Sequence, residues 1–365
     1  MKIRTQLKEI TSFSKGEQIN GDNLIIDGQY DYLNGGIAPS GRWNDYNTPG
    51  GTVTISEGGN SCGFVNYMQE PFWCGAHCYY LYDTILNSEY LYYVLKSQQT
   101  HLMKSRTGAC MPNIKKTDLG KFEITYDTDE KTQLLTVNVL KKIENTIFNR
   151  KQELLKLDTL IKARFVEMFG DPKYNPHGYD VRELRGTCDV ITGNTPSRAV
   201  KGYYGDYIEW IKTDNIVSGR TNPTIASEYL SEEGMAVGRT VNEGAVLMAC
   251  IAGSVASIGK VCITNRKVAF NQQINAIVPK DYDIRFLYVL LQISKSYLVE
   301  ELNMALKGIL SKSKLEEKTF YVPPLNDQKK FATFAAQVDK SKVVVQKALD
   351  ETQLLFDSLM QKYFG

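Results

Sequence analysis

The sequence predicts an α+β chain with a pseudo-two-fold internal repeat: two β-rich domains separated by two long helices that pair as a coiled coil. Three observations predict it. A shift of 195 positions lays residues 134–170 on residues 329–365 without a gap, matching Gln133 with Gln328, Ile143 with Val338, Leu154 with Leu349, Leu160 with Leu355 and Phe169-Gly170 with Phe364-Gly365. Both copies carry apolar residues on a seven-residue step, the mark of a helix whose seam faces a partner helix. The stretch before each copy also repeats one order: a glycine- and aromatic-rich β body, a helix, a basic glycine loop and a last strand.

The segments are residues 1–128 for the first β-rich domain, 129–170 for the first long helix, 171–324 for the second domain and 325–365 for the second long helix. In the first domain, β-like runs at 23–26, 51–56, 63–67 and 78–82 are separated by Asn34-Gly35-Gly36, Pro39-Ser40-Gly41, Pro49-Gly50-Gly51 and Gly58-Gly59-Asn60. These are turn-forming combinations. Helical apolar spacing follows over 88–103 with Ser88 as N-cap, then the loop Arg106-Thr107-Gly108 and a strand over 121–126. The seam of the first long helix is Leu140, Ile147, Leu154, Ile161 and Met168, with Ile143 and Leu157 beside it. Arg150 and Arg164 fall on its second row, where long basic side chains can lie on apolar surface and keep their charge wet. Asp171-Pro172 stops this helix.

The second domain repeats the plan. A run over 184–191 leads into Thr192-Gly193-Asn194-Thr195-Pro196-Ser197, and strands are expected at 207–211, 244–249, 260–264 and 319–322. Lys212-Thr213-Asp214, Ala252-Gly253-Ser254, Asn271-Gln272-Gln273 and Lys307-Gly308-Ile309 are loops, and a helix is expected over 285–306. The second long helix has its seam at Ala335, Val338, Val345, Leu349, Phe356, Leu359 and Tyr363, interrupted by Lys342 and Thr352. Each long helix is roughly 50 Å long at the α-helical rise. Two unrelated amphipathic helices in one core are the bland alternative; the gapless register and matching Phe-Gly ends argue against it.

A chain of 365 residues with 42% hydrophobic and 23% charged residues has room for two or three domains. No apolar run is long enough to span a membrane, and the start MKIRTQLKEI lacks the apolar core of a signal peptide, so a cytoplasmic location is expected. Seven cysteines are read as free thiols: Cys74-Gly-Ala-His77-Cys78 is dense, but no second cluster completes a zinc site, and no metal is expected. A net charge of +2 announces no global basic field, although local charge sets a nucleic-acid footprint. The 22 tyrosines suit recognition surfaces, their rings giving contact area at low entropic cost.

Catalytic signatures fail one by one. Gly253 to Lys260-Val261 resembles a P-loop but has five residues between its glycines and lacks the final Ser or Thr, so a β-turn-β loop is expected. No dinucleotide-binding glycine motif follows a strand. The one Pro-Pro, in Val322-Pro323-Pro324-Leu325, has apolar flanks unlike an adenine methyltransferase tetrapeptide, and His77, His101 and His177 have no nucleophile motif. No catalytic residue is expected.

The segments ITGNTPS at 191–197, YIEWIKTDNI at 207–216, YLSEEG at 229–234, SIGKV at 257–261 and NQQINAIVP at 271–279 resemble the DNA-specificity subunit of type I restriction–modification systems. So do YDYLNGG at 30–36, GTVTISEGGNSCGFV at 51–65, FWCGAHCYYL at 72–81 and MPNIKKTDL at 111–119, together with Pro323-Pro324-Leu325 and the Phe-Gly-Asp-Pro ending of the first helix. The resemblance covers essentially the whole chain and rests on order and duplication more than on any single motif. It implies two target recognition domains, each reading half of a split double-stranded DNA site, held apart by an antiparallel helix pair on which two methyltransferase subunits dock. Restriction subunits would join that assembly. S-adenosylmethionine, ATP and magnesium would be bound by those partners, with no cofactor on this chain. An orphan homologue that scaffolds proteins without specific DNA binding is the alternative.

Base edges are read by amide, hydroxyl, guanidinium and ammonium groups, and phosphates need cations or exposed N–H groups. The candidates in the first domain are Ser40, Arg42, Asn44, Asn60 and Arg106; in the second they are Thr195, Ser197, Arg198, Lys212, Thr213, Asp214, Ser254, Lys260, Asn271, Gln272, Gln273 and Lys307. Structural roles stand beside these. Asn271-Gln272 can cap a turn, Gly58, Gly59, Gly253 and Gly259 can serve as turn formers, and Trp73 and Trp210 are read as core.

Overall fold

The computed structural model describes residues 1–105, 112–300 and 308–365; Arg106 and Lys307 lie outside the described residues. The chain divides into two compact units, Met1–Lys151 with Lys347–Gly365, and Gln152–Gln346. The long helices are Glu130–Phe169 and Leu325–Phe364, and each contributes part of its length to each unit.

In the first unit the strand Lys2–Gln6 pairs antiparallel with Glu123–Asp127, so the body closes where it opens. A four-stranded antiparallel sheet runs Ser12–Lys15, Cys78–Tyr82, Thr52–Ser56, Val65–Met68. A smaller sheet runs Gly41–Trp43, Tyr30–Leu33, Phe72–Cys74, with the last two parallel. The helix Ser88–Ser97 buries Tyr90, Leu91 and Val94 in a core shared with Phe13, Ile55 and Tyr79. The same core takes Val137 and Leu140 from the start of the first long helix and Phe364 from the end of the second.

The second unit has the same wiring. Val181–Glu183 pairs antiparallel with Thr319–Tyr321. The four-stranded sheet runs Cys188–Thr192, Ile274–Pro279, Val246–Ala249, Val261–Ile263, which is the first unit's chain order of first, fourth, second, third. The strand Ile208–Ile211 runs parallel to Val268–Phe270, as Tyr30–Leu33 does to Phe72–Cys74. The helix Ile284–Ile293 covers the sheet, and Phe286 stacks on Phe165 at 5.1 Å between ring centroids. Here the end of the first long helix packs with the start of the second, Phe165 and Phe169 against Phe331 and Ala335. In both units, therefore, the helices run antiparallel.

Gln133 and Gln328 show why the repeat keeps its register. Both are buried, and each accepts through Oε1 from the backbone N–H of a helix-capping residue, Asn87 at 3.2 Å and Asp283 at 2.9 Å. Each donates through Nε2 to the carbonyl that precedes its own helix, Asp127 and Pro323, both at 2.8 Å. Asn87 and Asp283 in turn accept from the first-turn amides Tyr90 N, and Arg285 N and Phe286 N.

All fourteen expected seam residues are buried or half-buried. Of the residues that interrupt the seam, Lys342 reaches Asp158 at 2.5 Å and Asp339 at 3.8 Å, the Thr352 hydroxyl donates to Ala348 O at 2.6 Å, and the Arg164 guanidinium lies 5.9 Å from the Phe334 ring. Arg150 Nε, by contrast, is buried with no hydrogen-bond partner among the described residues, against the expectation of a fully wet charge. Gly170 ends the first helix in the left-handed region (φ 76°), where a Cβ would also meet Pro176 at 2.1 Å.

Several expected elements differ. Residues 23–26 form no strand: Gly21–Asn23 is a 3-10 turn capped by Asn20, and Ile26 is fully exposed. The Leu24 amide bonds back to Gly21, and the single bond from Ile25 N to Arg42 O at 3.0 Å does not extend into a ladder. Asn87, not Ser88, caps the helix that follows, which breaks at Gln98 into Ser88–Ser97 and Gln99–Lys104. Residues 184–187 are a helical turn before the strand Cys188–Thr192. The helix expected over 285–306 is Ile284–Ile293 followed by Lys295–Val299, with residues 301–307 outside the described set. Ile274–Pro279, for which no element is expected from the sequence, is a central strand of its sheet.

Candidate nucleic-acid interface

In the second unit, strand register brings three loops to one end. Ile211 and Phe270 are neighbours in a parallel pair, so Lys212 and Asn271 leave the sheet together, with Asn271 N donating to Ile211 O at 3.0 Å. Thr192 faces Asn275 across an antiparallel pair, and Gly193 N and Asn194 N donate to Ile274 O and Phe270 O at 3.0 and 3.1 Å. Gly193 is required here, since a Cβ would come within 2.1 Å of Asn271 O. The Thr195 hydroxyl donates to Gln272 Oε1, so two candidates from loops 77 positions apart meet side chain to side chain.

Arg198, Lys212 and Glu228 form a charged cluster at this end. Arg198 Nη2 reaches Glu228 Oε2 at 2.6 Å, and Lys212 Nζ pairs with Glu228 Oε1. The two cations also bracket aromatic rings: Arg198 lies 4.7 Å from the Tyr204 centroid and 5.6 Å from Trp210, and Lys212 lies 5.2 Å from Trp210. The Lys212 ammonium, then the Arg198 guanidinium, hold the Glu228 carboxyl below its ordinary range. Trp210 is buried, as read from the sequence, and its Nε1 donates to Asn194 O at 3.3 Å.

The other candidates separate by exposure. Ser197, Asp214 and Gln272 are exposed, while Thr213 and Gln273 are half-buried. Asn271 is buried, donates to Gln273 Oε1 at 3.1 Å and accepts from Gln273 N at 3.1 Å, so it acts as the turn cap. Ser254 and Lys260 lie on the hairpin between Val246–Ala249 and Val261–Ile263, which is the expected β-turn-β loop. Lys260 lines a cavity of about 210 Å³ with Thr221, Arg285, Lys295 and Asp339. Lys295 donates to Ala256 O at 2.6 Å, and burial, then the Lys260 charge, lower its pKa.

In the first unit Ser40, Arg42 and Asn44 sit on and beside the edge strand Gly41–Trp43, all exposed. Arg42 Nη2 donates to Gln29 O at 3.1 Å, and its Nε lies 3.6 Å from Asp31 Oδ1. Asn60 is exposed on the turn Gly59–Ser61, which the Ser61 hydroxyl ties to Gly35 O at 2.6 Å. At the matching end of the four-stranded sheet, Glu57 pairs with Lys15 and lies 3.5 Å from His77 Nδ1. The sequence singled out neither Glu57 nor Glu228, because each partner lies 16 or more positions away. The six described cysteines are free and buried, and Cys74 Sγ donates to Cys78 O at 3.5 Å. Among the described residues no group of His, Cys, Asp and Glu could hold a metal, and no helix is long and apolar enough to cross a membrane.

The family model for the type I restriction modification DNA specificity domain matches this chain twice, over residues 4–158 and 176–351. The putative type I specificity subunit S.MgeORF438P of Mycoplasma genitalium is 32% identical over 146 residues, covering 39% of this chain and 38% of that protein. The putative subunit S.MpnORF638P of Mycoplasma pneumoniae is 30% identical over 193 residues, covering 51% and 50%. The chain thus spans half or less of the curated relatives it matches. Among solved structures, the fold is similar to the type I restriction–modification S subunit of M. genitalium, with a TM-score of 0.64 at 19% identity over 100% of this chain and 96% of that one. It is also similar to a chain from a study of complex assembly and conformational transition of the type I system, at a TM-score of 0.57 and 15% identity over 100% and 97%.

Proposed function

The chain belongs to the type I restriction modification DNA specificity family, and on that premise we propose that it reads a two-part double-stranded DNA target, one half with each unit, within a type I restriction–modification complex. The observation that carries this is the duplication: two bodies with one strand order hold different residues at the same loop end. One frame with two sets of exposed groups suits two different half-sites. Arg198, Lys212, Thr195, Ser197 and Gln272 would contact DNA from the second unit, and Arg42, Asn44, Ser40 and Asn60 from the first. Lys260 and Ser254 would add backbone contacts.

The chain itself carries no catalytic role in this proposal. Two methyltransferase subunits, holding S-adenosylmethionine, and restriction subunits, holding ATP and magnesium, would supply the chemistry. Exposed apolar side chains on the long helices support docking: Leu135, Phe148, Leu354 and Leu355 in the first unit, Leu155, Val343 and Val344 in the second. Clustered exposed apolar surface marks sites for protein partners. A scaffold without DNA reading is not favoured, given a family defined by DNA specificity.

Mapping N6-methyladenine in host DNA with and without the gene tests the proposal. Two short defined sequences separated by a fixed gap should be methylated in the parent and unmethylated in the deletion. An unchanged methylation map would refute it.

A further inference from the structure

We propose that Glu228 is a specificity-determining residue of the second unit: its carboxylate occupies Arg198 and Lys212 and yields them only to a duplex whose base edges fit the same loop end. This rests on the DNA-reading function proposed above. A free arginine and a free lysine at an exposed loop end would bind any phosphate backbone, and each such contact adds affinity without sequence information. Glu228 removes that option in two ways. It accepts from Arg198 Nη2 at 2.6 Å and pairs with Lys212 Nζ, so a phosphate must displace a bonded carboxylate. Its own negative charge also repels the approaching phosphate.

The cations are held in place as well as held back. Arg198 rests against Tyr204 and Trp210, and Lys212 against Trp210, while the Tyr204 hydroxyl is tied to Pro196 O at 2.7 Å. On release, each therefore starts near one geometry. That suits a directional contact to a base edge better than a diffuse one to phosphate. The two cations hold the Glu228 carboxyl below its ordinary range, which keeps it ionised at neutral pH.

The first unit repeats the device with other residues. Glu57, directly after the strand Thr52–Ser56, pairs with Lys15 and stands 3.5 Å from His77 Nδ1, here at the end of the four-stranded sheet, whereas Glu228 sits at the end of the second unit's other sheet. A carboxylate between two basic side chains thus occurs independently in each reader. With the pairs neutralised in this way, the chain's net charge of only +2 accords with a reader that avoids indiscriminate binding.

The test compares the full chain with its E228Q variant on two short labelled duplexes, one carrying the methylated target found by mapping and one a scramble of the same composition, across a salt series. Glutamine keeps the volume and loses the charge, and a melting curve on each protein checks the fold. E228Q should bind the scramble several-fold tighter at low salt, with the log–log salt slope steeper by about 0.9 for each released cation. Target affinity should change less, so the ratio between duplexes falls. If E228Q leaves scramble affinity and slope at wild-type values, or weakens both duplexes equally with a lowered melting temperature, Glu228 is a structural residue and the proposal is overturned. If the wild-type chain does not distinguish the duplexes, the DNA-reading function itself fails. A wild-type preference with an unchanged variant removes only the role of Glu228.

Discussion

Replacing Gln328 with leucine should destabilise the second unit by about 3 kcal/mol, and the structure shows where that figure comes from. The side chain is fully buried. Leucine fills nearly the same volume, so the cavity contribution is small. What is lost is the bond from Asp283 N at 2.9 Å and the bond to Pro323 O at 2.8 Å; the third, to Asp281 O, is long at 3.4 Å and counts for little. Each buried group left without a partner costs about 1–3 kcal/mol. Asp283 is half-buried and regains some water, which brings the pair to about 3 kcal/mol. For a body of this size that is roughly 6–12 °C in melting temperature. Urea unfolding followed by circular dichroism reads the difference, and amide exchange over Ile284–Ile293 localises it, since Asp283 caps that helix. Gln133→Leu, with a longer bond of 3.2 Å to Asn87 N, should cost less, about 2 kcal/mol. A Q328L protein within about 0.5 kcal/mol of wild type would refute the reasoning, because it would mean the lost bonds were never worth more than a surface substitution.

Three further outcomes are expected. Lys342→Met keeps the methylenes but takes the cation from Asp158, while Asp339 keeps Arg285, so it and Asp158→Asn should each destabilise, and the double variant should be less destabilised than their sum by about 0.5–3 kcal/mol; strict additivity would show the ion pair contributes nothing. Arg266, first as a two-pronged partner at 2.7 Å, holds the Glu209 carboxyl below its ordinary pKa. Its stabilisation is therefore complete above the unfolded value of about 4.3 and is lost as pH falls through the lower folded value, so Glu209→Gln should flatten the acid limb of the stability–pH curve while an unchanged limb would exclude the pair as its cause. Phe148→Glu, placed on an exposed side chain, should leave the melting temperature near wild type and abolish co-purification with the proposed methyltransferase partner; retained co-purification would remove this patch from the proposed docking surface.

What was legible in the sequence was whatever repeats or alternates. The long helices carry many turns of seam, and the shift that aligns them also aligns Gln133 with Gln328, whose equivalent bonds to Asn87 N and Asp283 N exist only in the fold. Longer strands such as Thr52–Ser56 and Cys78–Tyr82 were found from apolar runs bounded by glycine turns. Strands of two or three residues, such as Tyr204–Gly205 and Thr240–Val241, were not, because so few positions show no period and the pairing partner alone defines them. The loops of the second unit were located, yet the division of labour within them was not. Asn271 and Gln272 are adjacent polar residues, but one is buried as a cap and the other exposed. Glu228 was invisible for the same reason, since its meaning lies in Arg198 and Lys212, which reach it only through the fold.

The pairing of first and last strands in each body, Lys2–Gln6 with Glu123–Asp127 and Val181–Glu183 with Thr319–Tyr321, has a practical consequence. The polypeptide departs from and returns to neighbouring positions, so everything in between is an excursion whose interior can be rewritten without moving its anchor points. Transplanting residues 184–318 from a homologue of different wiring length should then alter what is recognised while the flanking ladder stays as it is, so long as the incoming segment presents a backbone N–H to Gln328 where Asp283 does now. Such a chain is modular at a scale smaller than the gene, and new recognition can be built by exchange instead of by gradual repair.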